Sequence, residues 1–238
     1  KKVEALIREN EVPFQKDILE VAGYSTVPLY RYFVIENTID TLILDALKWK
    51  MPEVDVVLSN GFRFCPPNNT RDHTGNIPVT QGYIYDMLPV DSTVRKGKVT
   101  GKQIMEWLEK ELNNVFAKNA AERFGGWMVK FLGMDVRFMA FGEKGRRVQQ
   151  VKIGGKDLDP AKTYLVSACE RDGDPDDMLC RIRGVKEAKN TPFTLHQVMR
   201  DYLKFNSPVT PMPHRTAIAL DAPESLLTQV TGVDYQFK

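Results

Sequence analysis

The hydrophobic period of the chain changes once between residues 100 and 169, and that change restricts the fold more than any other feature. In "TGKQIMEWLEKELNNVF" (100–116), Ile104, Leu108, Leu112 and Val115 recur at helical spacing behind Thr100, a residue suited to cap a helix. Beyond it, "MDVRFMAF", "RRVQQVKIGG" and "KTYLVSAC" alternate or run apolar as strands do, with Gly-bearing turns between them. Helices and strands mix without a strict βαβ order. The pattern therefore predicts an α+β fold, with helices packed on a mixed, mostly antiparallel sheet.

The rest of the chain fits that frame. Residues 3–10 read as a short helix and 14–31 as extended connecting chain. In "ENTIDTLILDALKWK" (36–50), Ile39, Leu42, Ile43, Ala46 and Leu47 stand at helical spacing, and Pro52 ends the run. "VDVVLS" (54–59) is a short apolar strand stopped by Asn60-Gly61, and 65–78 is a polar loop rich in turn residues. A closing helix covers 193–205, and a Pro-bearing extended tail starts at Asn206. With no internal repeat, residues 1–238 are expected to form a single domain with its core over about 14–205 and a tail over 206–238.

Bulk composition excludes several classes. At 42% hydrophobic and 27% charged the chain is an ordinary globular sequence, and a net charge of +2 gives no argument for a nucleic-acid partner. No run of about 18 apolar residues offers a membrane span. The opening "KKVEALIREN" is charged and lacks the apolar centre of a signal peptide. The start at Lys1 fits either a trimmed leader or a domain cut from a longer protein.

Catalytic signatures are missing. His73, His196 and His214 stand alone, and Cys65, Cys169 and Cys180 have no metal-like spacing. In "RDGDPDDMLCR" (171–181) Asp172, Asp174 and Asp176 alternate as in a calcium loop, but Asp177 replaces the needed glycine and Arg183 the bidentate glutamate, so a polar turn is expected. There is no nucleophile elbow, phosphate-cradling loop or dinucleotide fingerprint. No catalytic and no metal-binding residue is assigned. Binding is better represented. Trp127 and Phe131 follow Gly125-Gly126, while Arg63, Lys130 and Arg171 lie near strand ends. The residues alone leave two readings open, rings lining a cleft or rings in a core.

Five stretches then carry a resemblance: "EVAGYSTVPLYR", "ENTIDTLILDAL", "VTGKQIMEWLE", "GGWMVKFLGMDVRF" and "VKIGGKDLDPAKTYLVSA". In this order and spacing, over about residues 14–205, the chain resembles the C-terminal domain of the 5′-nucleotidase family of metallophosphoesterases. "GFRF" and "GGWMVKFLGM" are more similar to the thiosulfohydrolase branch of sulfur oxidation than to true nucleotidases. The resemblance implies a substrate-specificity domain that binds a nucleotide or related small anion and is not catalytic alone. It also implies a partner, an N-terminal metallophosphoesterase domain with a dinuclear divalent metal centre, whose signatures this chain lacks. A periplasmic or extracellular setting and a place in nucleotide breakdown follow from the same likeness. Carried over by position, the substrate-binding residues are Asn60, Gly61 and Arg63, a ring from Trp127 to Phe131, and the pair Gly173-Asp174. A second ring would fall near Ala168, which has none. A thiosulfohydrolase-like domain and a free-standing binding module are the alternatives.

Overall fold

The computed structural model describes residues 2–31, 33–59, 66–124, 127–169 and 173–222. Helix α1 (Lys2–Glu11) leads through a 3₁₀ turn (Val12–Phe14) into α2 (Gln15–Leu19), then β1 (Val21–Ser25). Helix α3 (Thr38–Lys50) starts where the Asn37 side chain accepts a hydrogen bond from the Asp40 N–H, an ordinary N-cap. After β2 (Val56–Ser59) and β3 (Ile77–Thr80) comes α4 (Gln81–Met87), capped by Thr80. Strand β4 (Thr93–Thr100) runs straight into α5 (Gly101–Phe116), where Thr100 and Gln103 form a reciprocal capping box. Strands β5 (Lys130–Leu132), β6 (Met134–Phe138), β7 (Val148–Ile153), β8 (Lys156–Asp157) and β9 (Thr163–Cys169) follow. The chain then forms a small hairpin of β10 (Met178–Leu179) and β11 (Ile182–Arg183), strand β12 (Lys186–Thr194), α6 (Leu195–Asn206) and β13 (Ala217–Ala219).

The central sheet has five strands in the order β12-β4-β9-β2-β5. Only β2 and β9 are parallel in it; the other neighbours are antiparallel. A second sheet, β13-β6-β7-β8, is antiparallel except for its β13–β6 pair. Helices on mixed sheets are thus the architecture that the change of period predicted.

Strand alternation divides the core in two. Val56 and Leu58 of β2 face α5 and the second sheet, where they pack with Ile104, Leu108, Val136 and Phe138. Val57, between them, faces α3, α4 and α6 and packs with Leu42, Ile43, Ile84 and Met199. On α3 alone Ile39, Leu42, Ile43, Leu44 and Leu47 are buried, a gain of about 1.5–3 kcal/mol each over exposure. The helices expected at 3–10, 36–50, 100–116 and 193–205 are all present.

Two expectations are corrected. Residues 14–31 are not extended throughout: Pro13 pre-sets the first turn of the 3₁₀ segment and α2 continues it. The sequence Ile77–Met87, of which only the first residues were read, as loop, forms β3 and α4. Within the extended tail β13 adds to β6, and Glu36 accepts hydrogen bonds from the backbone N–H groups of Arg215 (2.8 Å) and Thr216 (2.9 Å).

Candidate functional site

Strand polarity assembles the site. The parallel strands β2 and β9 end at one edge of the central sheet, the place where open sheets with parallel strands leave a crevice for ligands. Ser59, the last residue of β2, pairs with Lys130, the first of β5. Cys169, the last residue of β9, pairs with Val94 near the start of β4. Four strands therefore turn at one edge. With strands about 4.8 Å apart, β5 and β4 stand about 14 Å from each other across it.

Trp127 lies at this edge, half-buried, just before β5. Its neighbours are held firmly. The Met128 N–H donates to the Val34 carbonyl (3.0 Å), and the Lys130 ammonium, 4% exposed, donates to the carbonyls of Phe33, Val34 and Met128 at 2.9–3.1 Å. Gly173 follows β9 with φ +83°, a left-handed conformation natural to glycine, and Asp174 beside it is half-buried. Asn60, Gly61, Arg63, Gly125, Gly126 and Arg171 lie outside the described residues. Ser59 immediately precedes the first of them in the chain.

Phe131 is the correction. Its ring is 4% exposed and belongs to the core between the central sheet and α5. Alternation along β5 decides this, because an inward residue at 131 leaves no face for stacking a ligand. Ala168, at the place of the second ring, is likewise fully buried. Trp127 is the one sequence-selected aromatic left at the edge among the described residues.

Charged residues that sequence reading passed over also converge here. Asp40, buried in the first turn of α3, accepts from Ser59 Oγ (2.8 Å) and from Asn37 Nδ2 (2.7 Å), and pairs with Arg31 Nε at 3.5 Å. Arg31, 5% exposed, also donates to the Met87 carbonyl at 3.0 Å. Arg95 on β4, 8% exposed, reaches Asp176 at 3.6 Å and so joins β4 to the turn after β9. Glu111 on α5 faces Arg181 of the hairpin at 3.1 Å and accepts from Asn114 Nδ2 at 3.4 Å. Burial pushes the Glu111 carboxyl above the usual range, with Arg181 opposing the rise. A signal for Asp40 existed: with Ile43, Leu44 and Leu47 it shares the apolar stripe of its helix, where a carboxylate needs partners. Arg95 was hidden in "TVRKGKVT", whose charges mask the strand.

Loop residues Phe33 and Ile35 also wall a cavity of about 480 Å³ shared with Tyr30, Pro213 and β13. The edge combines buried cations, one partly open indole and strand ends that turn together. Among the described residues no three His, Cys, Asp or Glu side chains stand together as a metal site would. His196 is buried against the Leu88 carbonyl at 2.6 Å, and His214 contacts Asp45 at 2.6 Å, so these two are engaged away from the edge.

Residues 21–169 match the model of the 5′-nucleotidase C-terminal domain. The chain belongs to that family. Its fold is similar to that of the sulfate thiohydrolase SoxB of Thermus thermophilus, at 24% identity and a TM-score of 0.80, over 93% of this chain and 39% of that one. A 5′-nucleotidase precursor from Thermus thermophilus is similar at 20% identity and a TM-score of 0.71, over 92% and 43%. The NAD nucleotidase NadN of Haemophilus influenzae follows at 14% and 0.66, over 93% and 42%. The chain thus spans about two-fifths of the length of these proteins. No functionally curated protein matches it. No helix among the described residues is long and apolar enough to cross a membrane.

Proposed function

We propose that this chain is the substrate-recognition half of a 5′-nucleotidase-type hydrolase and holds an anionic substrate at the carboxyl ends of β2 and β9. The observation that carries the reading is the gathering of four strand ends at one sheet edge, beside the nearly buried Arg31 and Arg95 and the half-buried Trp127. Arg63, four residues past Ser59, would grip the anion with Asn60 and Gly61, while Gly173-Asp174 would close the opposite side. A charge-assisted hydrogen bond of this kind contributes about 1.5–3 kcal/mol. Hydrolysis belongs to a separate metallophosphoesterase half, whose metal pair activates the attacking water when bound. The chain alone binds and does not cleave. An exported setting accords with the word "precursor" in the name of one similar nucleotidase.

One observation favours a second reading. A base held between two rings needs two, but Phe131 is in the core and position 168 carries an alanine. A single indole suits a smaller anion, such as the sulfur-loaded end of a carrier handled by a thiosulfohydrolase. Calorimetric titration of the chain with AMP, adenosine and thiosulfate separates the readings. Saturable AMP binding, weakened by salt and by Arg63→Gln, supports the nucleotide. Thiosulfate binding without AMP binding supports the second reading. Saturable heat from neither anion overturns both.

A further inference from the structure

Strand β13 bridges a hollow instead of closing it. Ala217 and Ala219, two residues apart and therefore on one face of the strand, line the cavity of about 480 Å³ together with Ala222, Tyr30, Phe33 and Ile35. The Tyr30 and Phe33 rings meet edge to face, with 4.9 Å between their centroids. The hollow is not loose packing, because carboxylates pin both ends of the strand. Glu36 holds the N–H groups of Arg215 and Thr216 at one end. At the other, Asp221 accepts from the N–H groups of Ala140 (2.6 Å) and Phe141 (2.8 Å). Pairing with β6 fixes the stretch between them. Small-molecule sites commonly have volumes of about 300–1,000 Å³, and apolar walls favour apolar guests.

Charge decides which guest fits. Glu36 also lines the cavity, but its oxygens already accept from three donors, the two N–H groups above and the Thr216 hydroxyl at 2.7 Å. Arg215, a further lining residue, is exposed and sits at φ +58°, in the left-handed region that residues with side chains seldom enter. It lines a second hollow as well, of about 320 Å³, with Arg137 of β6, Lys152 of β7 and Asp135. Around Arg215, then, three cations stand against the Asp135 carboxylate, and their field favours an anion. We propose that the 480 Å³ cavity is a binding site for a small aromatic carboxylate, its ring against the Tyr30–Phe33 pair and its charge on the Arg215 guanidinium. The inference does not depend on the reading above. An amine is disfavoured twice, by the cations and by the engaged Glu36. A neutral ring gains burial but forgoes the charge-assisted hydrogen bond.

Titration of the chain with phenylacetate, phenylethanol and acetate, followed by backbone amide NMR, tests this. Phenylacetate should bind saturably and shift the amides of Val34–Glu36 and Thr216–Ala219. Phenylethanol has the ring without the charge, and acetate the charge without the ring; each should bind at least about tenfold more weakly. Arg215→Gln should weaken phenylacetate by about tenfold and leave phenylethanol unchanged, a difference that general damage to the fold would not produce. Ala219→Leu, which fills the space, should abolish the binding of both. Three results each overturn the proposal: no saturable binding of phenylacetate, equal affinities for the acid and the alcohol, or shifts confined to Thr93–Arg95 and Gly173–Asp176 at the sheet edge.

Discussion

Two regions of this molecule obey opposite logics. Where α5 begins, two unbroken motifs are joined backbone to backbone: the Gly101 and Lys102 N–H groups donate to the carbonyls of Lys162 and Pro160 at 2.9 Å, and within the second motif the Asp159 N–H donates to the Tyr164 hydroxyl at 3.0 Å. A Cβ on Gly101 would stand 2.2 Å from the Asp159 carbonyl, so only glycine lets the two segments close. At the edge of the central sheet, Arg31, Asp40, Ser59, Arg95, Trp127 and Asp174 come from stretches far apart in sequence. The most distinctive motifs of the chain, "VTGKQI" and "KDLDPAKTY", therefore belong to the joint that builds the fold rather than to the edge proposed to meet a ligand.

Substitutions can break that contrast or sharpen it. The largest effect is expected at Glu111, a buried carboxylate on α5 that pairs with Arg181 of the β10–β11 hairpin. Glu111→Ala breaks the buried ion pair with Arg181 and should cost about 3–5 kcal/mol in urea unfolding. Because burial raises the Glu111 pKa in the folded state, its contribution is largest below the ordinary carboxylate value of 4.5 and falls as pH rises through the folded value. Relative to Glu111→Gln, the natural chain should therefore gain stability as pH falls. Gly101→Ala forces two backbones apart and should cost about 1–3 kcal/mol, with ligand affinity per folded molecule unchanged.

Trp127→Ala is the mirror experiment. The indole is half-buried, so unfolding should shift little, while affinity for a stacked ligand should drop by about 1–3 kcal/mol. If its urea midpoint falls as far as that of Gly101→Ala, the edge is core like the joint and the contrast fails. The smallest effect is expected at His214, whose pKa is raised chiefly by its hydrogen bond to Asp45. That contact is fully stabilising below the ordinary histidine value of 6.5 and is lost as pH rises through the folded value. Half-exposed as the pair is, His214→Gln should cost under about 1 kcal/mol at pH 5.5 and less at pH 8.5, by urea unfolding at the two pH values.

Local codes were readable and distant ones were not. Thr100, the stripe from Ile104 to Val115 and the run Ile39–Leu47 announce α5 and α3, since capping and periodicity act within a few turns. Strand β4 escaped because Arg95, Lys96 and Lys98 give it a charged look, although Val94 and Val99 are buried on opposite faces of its sheet. Trp127 and Phe131 have similar sequence credentials; the register of β5 sends the phenyl ring inward and leaves the indole partly open. Register depends on pairing with β2, where Phe131 stands opposite Leu58 far upstream in the chain, which no local pattern encodes.

The account stands or falls on where a ligand touches this chain. Backbone amide shifts followed by NMR during titration with AMP, and separately with thiosulfate, address that directly. The account predicts shifts at Val57–Ser59, Thr93–Arg95, Trp127–Phe131 and Gly173–Asp176, described stretches that flank the sheet edge. Shifts confined to the α1–α2 face or the α3–α6 surface, with those stretches unmoved at saturation, would contradict it.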